Sequence, residues 1–218
     1  MLFRSNSRLG SDLLVEQAGE GLDWLDFSAT TRQRVVLQLG TTALQTVNAN
    51  LRLRLSDAAT FDNVVGGQLN DRIVGNALAN LILGGPGADD LSGLGGDDVL
   101  VGGTGSDLVS GGEGADLLIS DAISWYQETT RTIDFAAWHA VLMTWSDSLE
   151  STAERIARLQ EGVGATQQYR LTSAVLQVSP GAVNHLLGGP GANWFWARSI
   201  DRRPDFDLSG LNLFNTFG

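Results

Sequence analysis

The chain of 218 residues has no cysteine, no lysine, two histidines and four prolines. Without cysteine there can be no disulfide and no thiolate metal site, so an extracellular address requires something else to hold the fold. No apolar run reaches membrane length. The N-terminus, MLFRSNSRLGSDLL, carries Arg4 and Arg8 without an apolar stretch behind them, so no Sec-type signal peptide is visible. Fourteen arginines against 25 acidic residues leave a formal net charge of −11, which disfavours nucleic acid and anionic membrane as partners and makes cations the natural ligands. Enzyme signatures are missing too: there is no G-x-S-x-G elbow, no HExxH and no P-loop. His139 lies in a segment with helical periodicity, where packing or surface exposure is the plainer role, and His185 has no evident partner in sequence.

What is abundant is glycine, 27 residues, and it is clustered. From Gly66 the chain divides every nine residues into GGQLNDRIV, GNALANLIL, GGPGADDLS, GLGGDDVLV, GGTGSDLVS and GGEGADLLI. Position six reads Asp71, Asn80, Asp89, Asp98, Asp107 and Asp116; position eight reads Ile73, Ile82, Leu91, Leu100, Val109 and Leu118. The first six residues of a unit suit a turn with positive φ angles, and the last three suit a short strand. Side chains alternate along a strand, so position eight points inward while seven and nine point out. Two units then form one flattened turn of eighteen residues with a sheet on each side.

These units resemble the RTX, or hemolysin-type, calcium-binding nonapeptide GGxGxDxUx, where U is a large apolar residue. GGPGADDLS, GGTGSDLVS and GGEGADLLI match every fixed position; GLGGDDVLV departs at its second, GGQLNDRIV lacks the glycine of the fourth position, which is Leu69 ahead of Asn70, and GNALANLIL keeps only the first glycine and the core column. The resemblance implies a right-handed parallel β-roll that holds Ca²⁺ between unit n and unit n+2. The ligands it implies are the carboxylates of Asp71, Asp89, Asp98, Asp107 and Asp116 with turn carbonyls around Gly84, Gly87, Gly93, Gly96, Gly102, Gly105, Gly111 and Gly114. Ca²⁺ takes six to eight hard oxygens at roughly 2.3 to 2.6 Å, which such turns can supply. The spacing pairs Asp71 with Asp89, Asp89 with Asp107 and Asp98 with Asp116; Asn80 with Asp98 is a weaker fourth slot. An ion-free solenoid, with aspartates capping their own turns, is the alternative. Stacked carboxylates repel without a cation, which favours the ion. Asp90 and Asp97 fall outside the ligand column and are expected in solvent.

The two sheets differ in their outward residues. One presents Arg72, Val74, Asp90, Ser92, Leu108 and Ser110; the other presents Leu81, Leu83, Val99, Val101, Leu117 and Ile119 and needs a cover. The segment 134–149 places Phe135, Trp138, Leu142, Trp145 and Leu149 on one helical stripe with Asp134 as N-cap. A second helix is expected over 151–162, with Ala153, Ile156 and Leu159 inward and a capping box of Ser151 and Glu154. The first helix is expected on the apolar sheet; a sugar-stacking platform is the other use of such a tryptophan stripe.

Upstream, RVVLQL and NLRLRLS alternate as half-buried strands that lead into the roll. AGEGLDWLD, 18–26, resembles one more unit out of register, with Asp23 a weak ligand for want of a partner turn. YRLTSAVLQV, 169–178, reads as a strand. It leads to a second GGPGA at 188–192, where Asn193 replaces the carboxylate and Trp194, Phe195 and Trp196 follow. This copy is expected to be an ion-free turn without an adjacent repeat, burying aromatic surface against an end of the roll. The tail, with Asp205 and Asp207, loosely resembles type I secretion signals of RTX proteins.

The expectation is a mainly β chain: a parallel β-roll with a small insertion of about two helices packed on one sheet. Residues 1–65 are strand coils entering the roll, 66–119 the calcium-binding roll, 120–200 a helical and strand segment with the degenerate repeat, and 201–218 the tail. The resemblance implies a secreted, calcium-stabilised structural or interaction module without catalysis of its own, with calcium and an extracellular protein or glycan as its partners. A C-terminal part of a larger secreted hydrolase, cytolysin or adhesin is the alternative. The sequence sets no oligomeric state.

Overall fold

The structure, a computed structural model, describes residues 2–3, 10–15, 23–204 and 213–217. Two parallel sheets face each other. The first has eight strands in the order Leu2–Phe3, Trp24–Asp26, Asn63–Val65, Leu81–Pro86, Val99–Thr104, Leu117–Ile119, Trp194–Arg198 and Leu213–Phe217. The second has five: Val36–Gln38, Arg72–Val74, Asp90–Gly95, Leu108–Glu113 and His185–Leu187. Leu81 pairs with Val99 and Val99 with Leu117, while Arg72 pairs with Asp90 and Asp90 with Leu108. Strands eighteen residues apart are therefore neighbours, as a nine-residue unit that alternates between sheets requires.

The eighth position of each unit forms the interior. Leu25, Val64, Ile82, Leu100, Leu118 and Phe195 stack in register in the first sheet, and Leu37, Ile73, Leu91, Val109 and Leu186 in the second, all fully buried. Each such aliphatic side chain contributes about 1.5–3 kcal/mol by leaving water. The alternating Leu51–Leu55 strand, with Arg52 and Arg54 outward, belongs to a separate three-stranded sheet with Gly10–Leu14 and Gln45–Asn48. Its inward leucines join the roll's interior cluster.

Residues 120–178 form an insertion. It holds a hairpin of Tyr126–Gln127 and Thr132–Ile133, helix α1 over Phe135–Trp145 and helix α2 over Thr152–Glu161. The apolar outer face of the eight-stranded sheet is covered as its composition requires: Leu81, Leu83, Val99, Val101, Leu117 and Ile119 share a cluster with Trp138, Leu142, Trp145 and Leu159. Trp145 donates its indole N–H to the Ala115 carbonyl at 2.7 Å and stacks on Trp194 at 6.0 Å. Trp138 and Trp145 are fully buried, which removes the stripe as a sugar platform. Asp134 caps α1, accepting from Ala137 N, and Ser151 and Glu154 form the capping box of α2.

Local details differ from the periodic reading. α1 ends at Trp145, where Ser146 gives both its backbone N–H and its hydroxyl to the Leu142 carbonyl, and Leu149 lies beyond it 95% exposed. On α2 Ala153 is exposed and Arg155 is buried instead, because an ion pair on the roll draws the arginine inward. The segment 169–178 contains only a two-residue strand, Leu176–Gln177, after a 3-10 turn at Ser173–Val175; it pairs with Ala122–Ile123 at the root of the insertion.

The second GGPGA does have neighbours. His185–Leu187 pairs with Leu108–Ser110, and Trp194–Trp196 with Leu117–Ile119, so 179–187 and 188–196 are two further units of the roll, resumed after the insertion. Phe195 points into the interior, while Trp194 and Trp196 join the cluster under the helices. Asp23 likewise has a partner turn: Trp24–Asp26 pairs with Asn63–Val65, and Asp23 N donates to Asp62 Oδ2. Ala18 to Leu22, Asp205 and Asp207 lie outside the described residues.

Candidate metal centre

The position-six residues line two columns, one at each edge of the roll where the chain crosses between sheets. Asp71, Asp89, Asp107 and Asn184 precede the strands of the five-stranded sheet; Asn80, Asp98, Asp116 and Asn193 precede those of the eight-stranded sheet. Within a column one carboxylate oxygen is used the same way each time. Asp89 Oδ1 accepts from Asp71 N at 2.8 Å, Asp107 Oδ1 from Asp89 N at 2.9 Å, Asp98 Oδ1 from Asn80 N at 2.7 Å and Asp116 Oδ1 from Asp98 N at 3.0 Å. These bonds link turn n to turn n+2 through side chains. To that extent the aspartates cap backbone, as the ion-free alternative would have it.

The other oxygen is the one the ion-free alternative does not account for. Oδ2 of Asp89, Asp98, Asp107 and Asp116 is buried and has no hydrogen-bond partner. A buried acceptor left unmade costs about 1–3 kcal/mol, more when charged, so four in one small roll require a cause. Burial is the main reason these carboxyls are pushed up, to about 9 for Asp89 and Asp98 and about 7 for Asp107 and Asp116. Repulsion adds to it: Asp71, Asp107 and Glu128 raise Asp89, and Asp116 and Asp97 raise Asp98. The site is short of positive charge.

Each Oδ2 sits in room that a Cβ at position one would fill, so position one is glycine. A Cβ on Gly84 or Gly102 would lie 2.6 Å from Oδ2 of Asp89 or Asp107, and on Gly93 or Gly111 it would fall on Oδ2 of Asp98 or Asp116. Carbonyls of the next turn border the same space: a Cβ on Gly93 would stand 2.7 Å from Gly111 O, and one on Gly102 2.7 Å from Ser120 O. The position-four glycines Gly87, Gly96, Gly105 and Gly114 all have positive φ and press against carbonyls of the preceding turn, those of Leu69, Leu78, Gly87 and Gly96. Among the described residues no three His, Cys, Asp or Glu side chains converge, so a cation here would take two carboxylates and make up its shell from carbonyls. Those are hard oxygens, the donor type that Ca²⁺ prefers, and the residues fit it. Bound there, the ion supplies the positive charge that the buried carboxylates lack.

The expected ligands are thereby sorted. Asp89 with Asp107, and Asp98 with Asp116, each bring two orphaned oxygens to one column. Asp71 is different: its Oδ1 accepts from Val35 N at 2.6 Å and its Oδ2 from Gly67 N, and its carboxyl is raised only to about 6 by burial. Asn80 offers an amide, whose Nδ2 donates to Asp62 O at 3.0 Å and whose Oδ1 accepts from Asn76 N at 2.8 Å.

Two contributors from outside the repeat pattern also reach the turns. Glu128, in the insertion, accepts from Thr104 N at 3.1 Å and Thr104 Oγ1 at 2.5 Å, beside the turn of Asp107. Arg155 of α2 meets Asp97 Oδ2 at 2.6 Å, while Asp97 Oδ1 accepts from Ala115 N at 2.9 Å. Asp97 is thus held rather than solvated, whereas Asp90 keeps an exposed 3.4 Å pair with Arg72. Helical spacing alone assigned α2 only an apolar inward face, so Arg155 gave no signal in sequence.

No curated protein was found to match the chain. Residues 65–100 and 92–122 match the family model of the RTX calcium-binding nonapeptide repeat, in four copies. The core of this parallel roll, 65–122, is therefore a run of RTX calcium-binding nonapeptide repeats.

Proposed function

We propose that the chain is an extracellular structural or interaction module whose β-roll is locked by Ca²⁺ and which has no catalytic activity of its own. The observation that carries this is the set of four buried, unpartnered Oδ2 atoms, arranged two to a column. Two slots follow, one at Asp89 and Asp107 and one at Asp98 and Asp116. Each has only two carboxylates, a low ligand charge, and low ligand charge gives weak Ca²⁺ affinity, as in extracellular modules with Kd on the order of 10⁻⁴–10⁻³ M. That range suits calcium outside cells, and secretion by a type I route follows from the resemblance of the repeats. One oxygen of each of Asp89, Asp98, Asp107 and Asp116 is tied to a backbone N–H of the turn ladder, which supports a structural role. A calcium titration followed by calorimetry and circular dichroism tests the reading. Uptake of calcium with a gain in thermal stability, reversed by chelator and lost in Asp98→Ala, Asp107→Ala, is expected; no stabilisation by calcium would refute it.

A further inference from the structure

Beyond Asp107 and Asp116 the roll resumes after the insertion, but position six becomes Asn184 and Asn193. The ladder bond survives the change. Asn184 Oδ1 accepts from Asp107 N at 2.7 Å and Asn193 Oδ1 from Asp116 N at 2.8 Å, across 77 residues of sequence. What differs is the second arm of the side chain, which is now a donor.

In one column, Asn193 Nδ2 donates to Gly189 O at 3.1 Å and to Gly191 O at 3.4 Å, carbonyls of its own turn. In the other, beside Asn184, a full cation is present. Arg198, at the end of the Trp194–Arg198 strand, is 4% exposed. Its guanidinium donates to Ser179 O at 2.8 Å and Ala182 O at 2.6 Å, which are positions one and four of the unit 179–187. Its Nε lies 2.9 Å from Asp121 Oδ2, and Nη2 lies 3.7 Å from Asp201 Oδ1. Asp201 also completes the ladder, accepting from Asn184 N through Oδ1 at 2.9 Å and from Arg198 N through Oδ2 at 2.7 Å.

Two carboxylates and two turn carbonyls around one buried positive charge are the same kinds of donor as at the Asp89–Asp107 slot. We infer that Arg198 is a tethered cation that does at the resumed turn of Asn184 and Asp201 what calcium does on the earlier ones, with the Asn193 amide as its neutral counterpart in the other column. The ion-dependent part of the roll then ends at Asp107 and Asp116. Asp121 lies two residues past the strand that leads into the insertion, so the arginine also ties the root of the insertion to the resumed roll without an ion. A guanidinium suits this position because it is planar, always charged and offers several fixed donors.

The inference rests on the calcium reading above, and the test separates the two. Bound calcium is counted by equilibrium dialysis for the wild type, Arg198→Ala and Asn193→Asp, with melting curves in calcium and in chelator. Arg198→Ala takes the buried positive charge away from two carboxylates and two carbonyls while Asp121 and Asp201 keep their bonds to Ser120, Ser179, Asn184 and the backbone N–H of residue 198, and Asn193→Asp replaces a donor by a carboxylate. Each variant is expected to bind one calcium more than the wild type and to lose more melting temperature in chelator than in calcium. Either variant folding with an unchanged calcium count overturns the inference. If Arg198→Ala does not fold, Asn193→Asp decides alone, and its failure to fold even in calcium counts against the inference as well. A wild type that takes up no calcium refutes the calcium reading itself.

Discussion

Removing calcium should make this roll sensitive to pH in the direction opposite to an ordinary acidic protein. Burial raises the folded-state carboxyls of Asp107 and Asp116 to about 7, and of Asp89 and Asp98 to about 9, above the ordinary value of 3.8 that holds in the unfolded chain. The calcium-free folded state therefore retains protons that the unfolded chain has released. Its stability is full at acid pH and declines as pH rises until each folded value has been passed. At about 1.4 kcal/mol per unit, raising the pH from about 5.5 to about 8 costs roughly 2 kcal/mol at each of Asp107 and Asp116, and roughly 3 kcal/mol at each of Asp89 and Asp98. The combined loss is on the order of 10 kcal/mol, the size of a typical domain's whole stability of about 5–15 kcal/mol. The chelated protein should accordingly be folded near the lower pH and largely unfolded near the upper one. With calcium the carboxylates are held ionised, so the slope should vanish or reverse, and calcium affinity should rise with pH. Thermal melts followed by far-ultraviolet circular dichroism, in chelator and in calcium at both pH values, check this. Chelated protein that is equally stable at both, or more stable at the higher pH, would refute the assignment of buried, uncompensated Oδ2 atoms.

Three further outcomes follow from single side chains. Trp145→Ala empties a fully buried site, removes the bond to Ala115 O and the stack on Trp194, and should cost about 3–5 kcal/mol by chemical denaturation. Arg155→Ala leaves Asp97 without its cation beside the Asp98–Asp116 slot; a loss of about 3 kcal/mol is expected, larger in chelator than in calcium, because the ion offsets the added negative charge. Leu94 stands at the second repeat position with φ of 80°, where Gly85, Gly103 and Gly112 also have positive φ. Leu94→Gly should therefore stabilise the calcium-loaded protein by about 1 kcal/mol, the relieved strain exceeding the entropic cost of glycine, as the midpoint of a denaturant titration would show.

The nine-residue period was enough to place the eighth-position residues in the interior, to put the position-six residues in columns, and to divide the outward faces into a wet one and an apolar one. All three depend on local geometry: alternation along a strand and the positive φ that glycine allows. The capping box at Ser151 and Glu154 was legible for the same reason, being a contact three residues long. Sequence also contained a signal for the resumed roll that periodicity obscured. GGPGANWFW fits the unit, but 77 residues is not a multiple of nine, so the insertion broke the register that revealed the first six.

What only the tertiary structure decided is the partition of each carboxylate into an oxygen tied to a backbone N–H two units away and an oxygen left without a partner. That depends on which turn lies above and which atoms surround it, as the satisfied carboxylate of Asp71 shows against its orphaned neighbours. The same holds for Arg155 on Asp97, Glu128 on Thr104 and Arg198 on Asp121. A repeat specifies interactions between equivalent positions; these pairs join a repeat to a segment that has none, and only burial in a common low-dielectric space makes their charges meet.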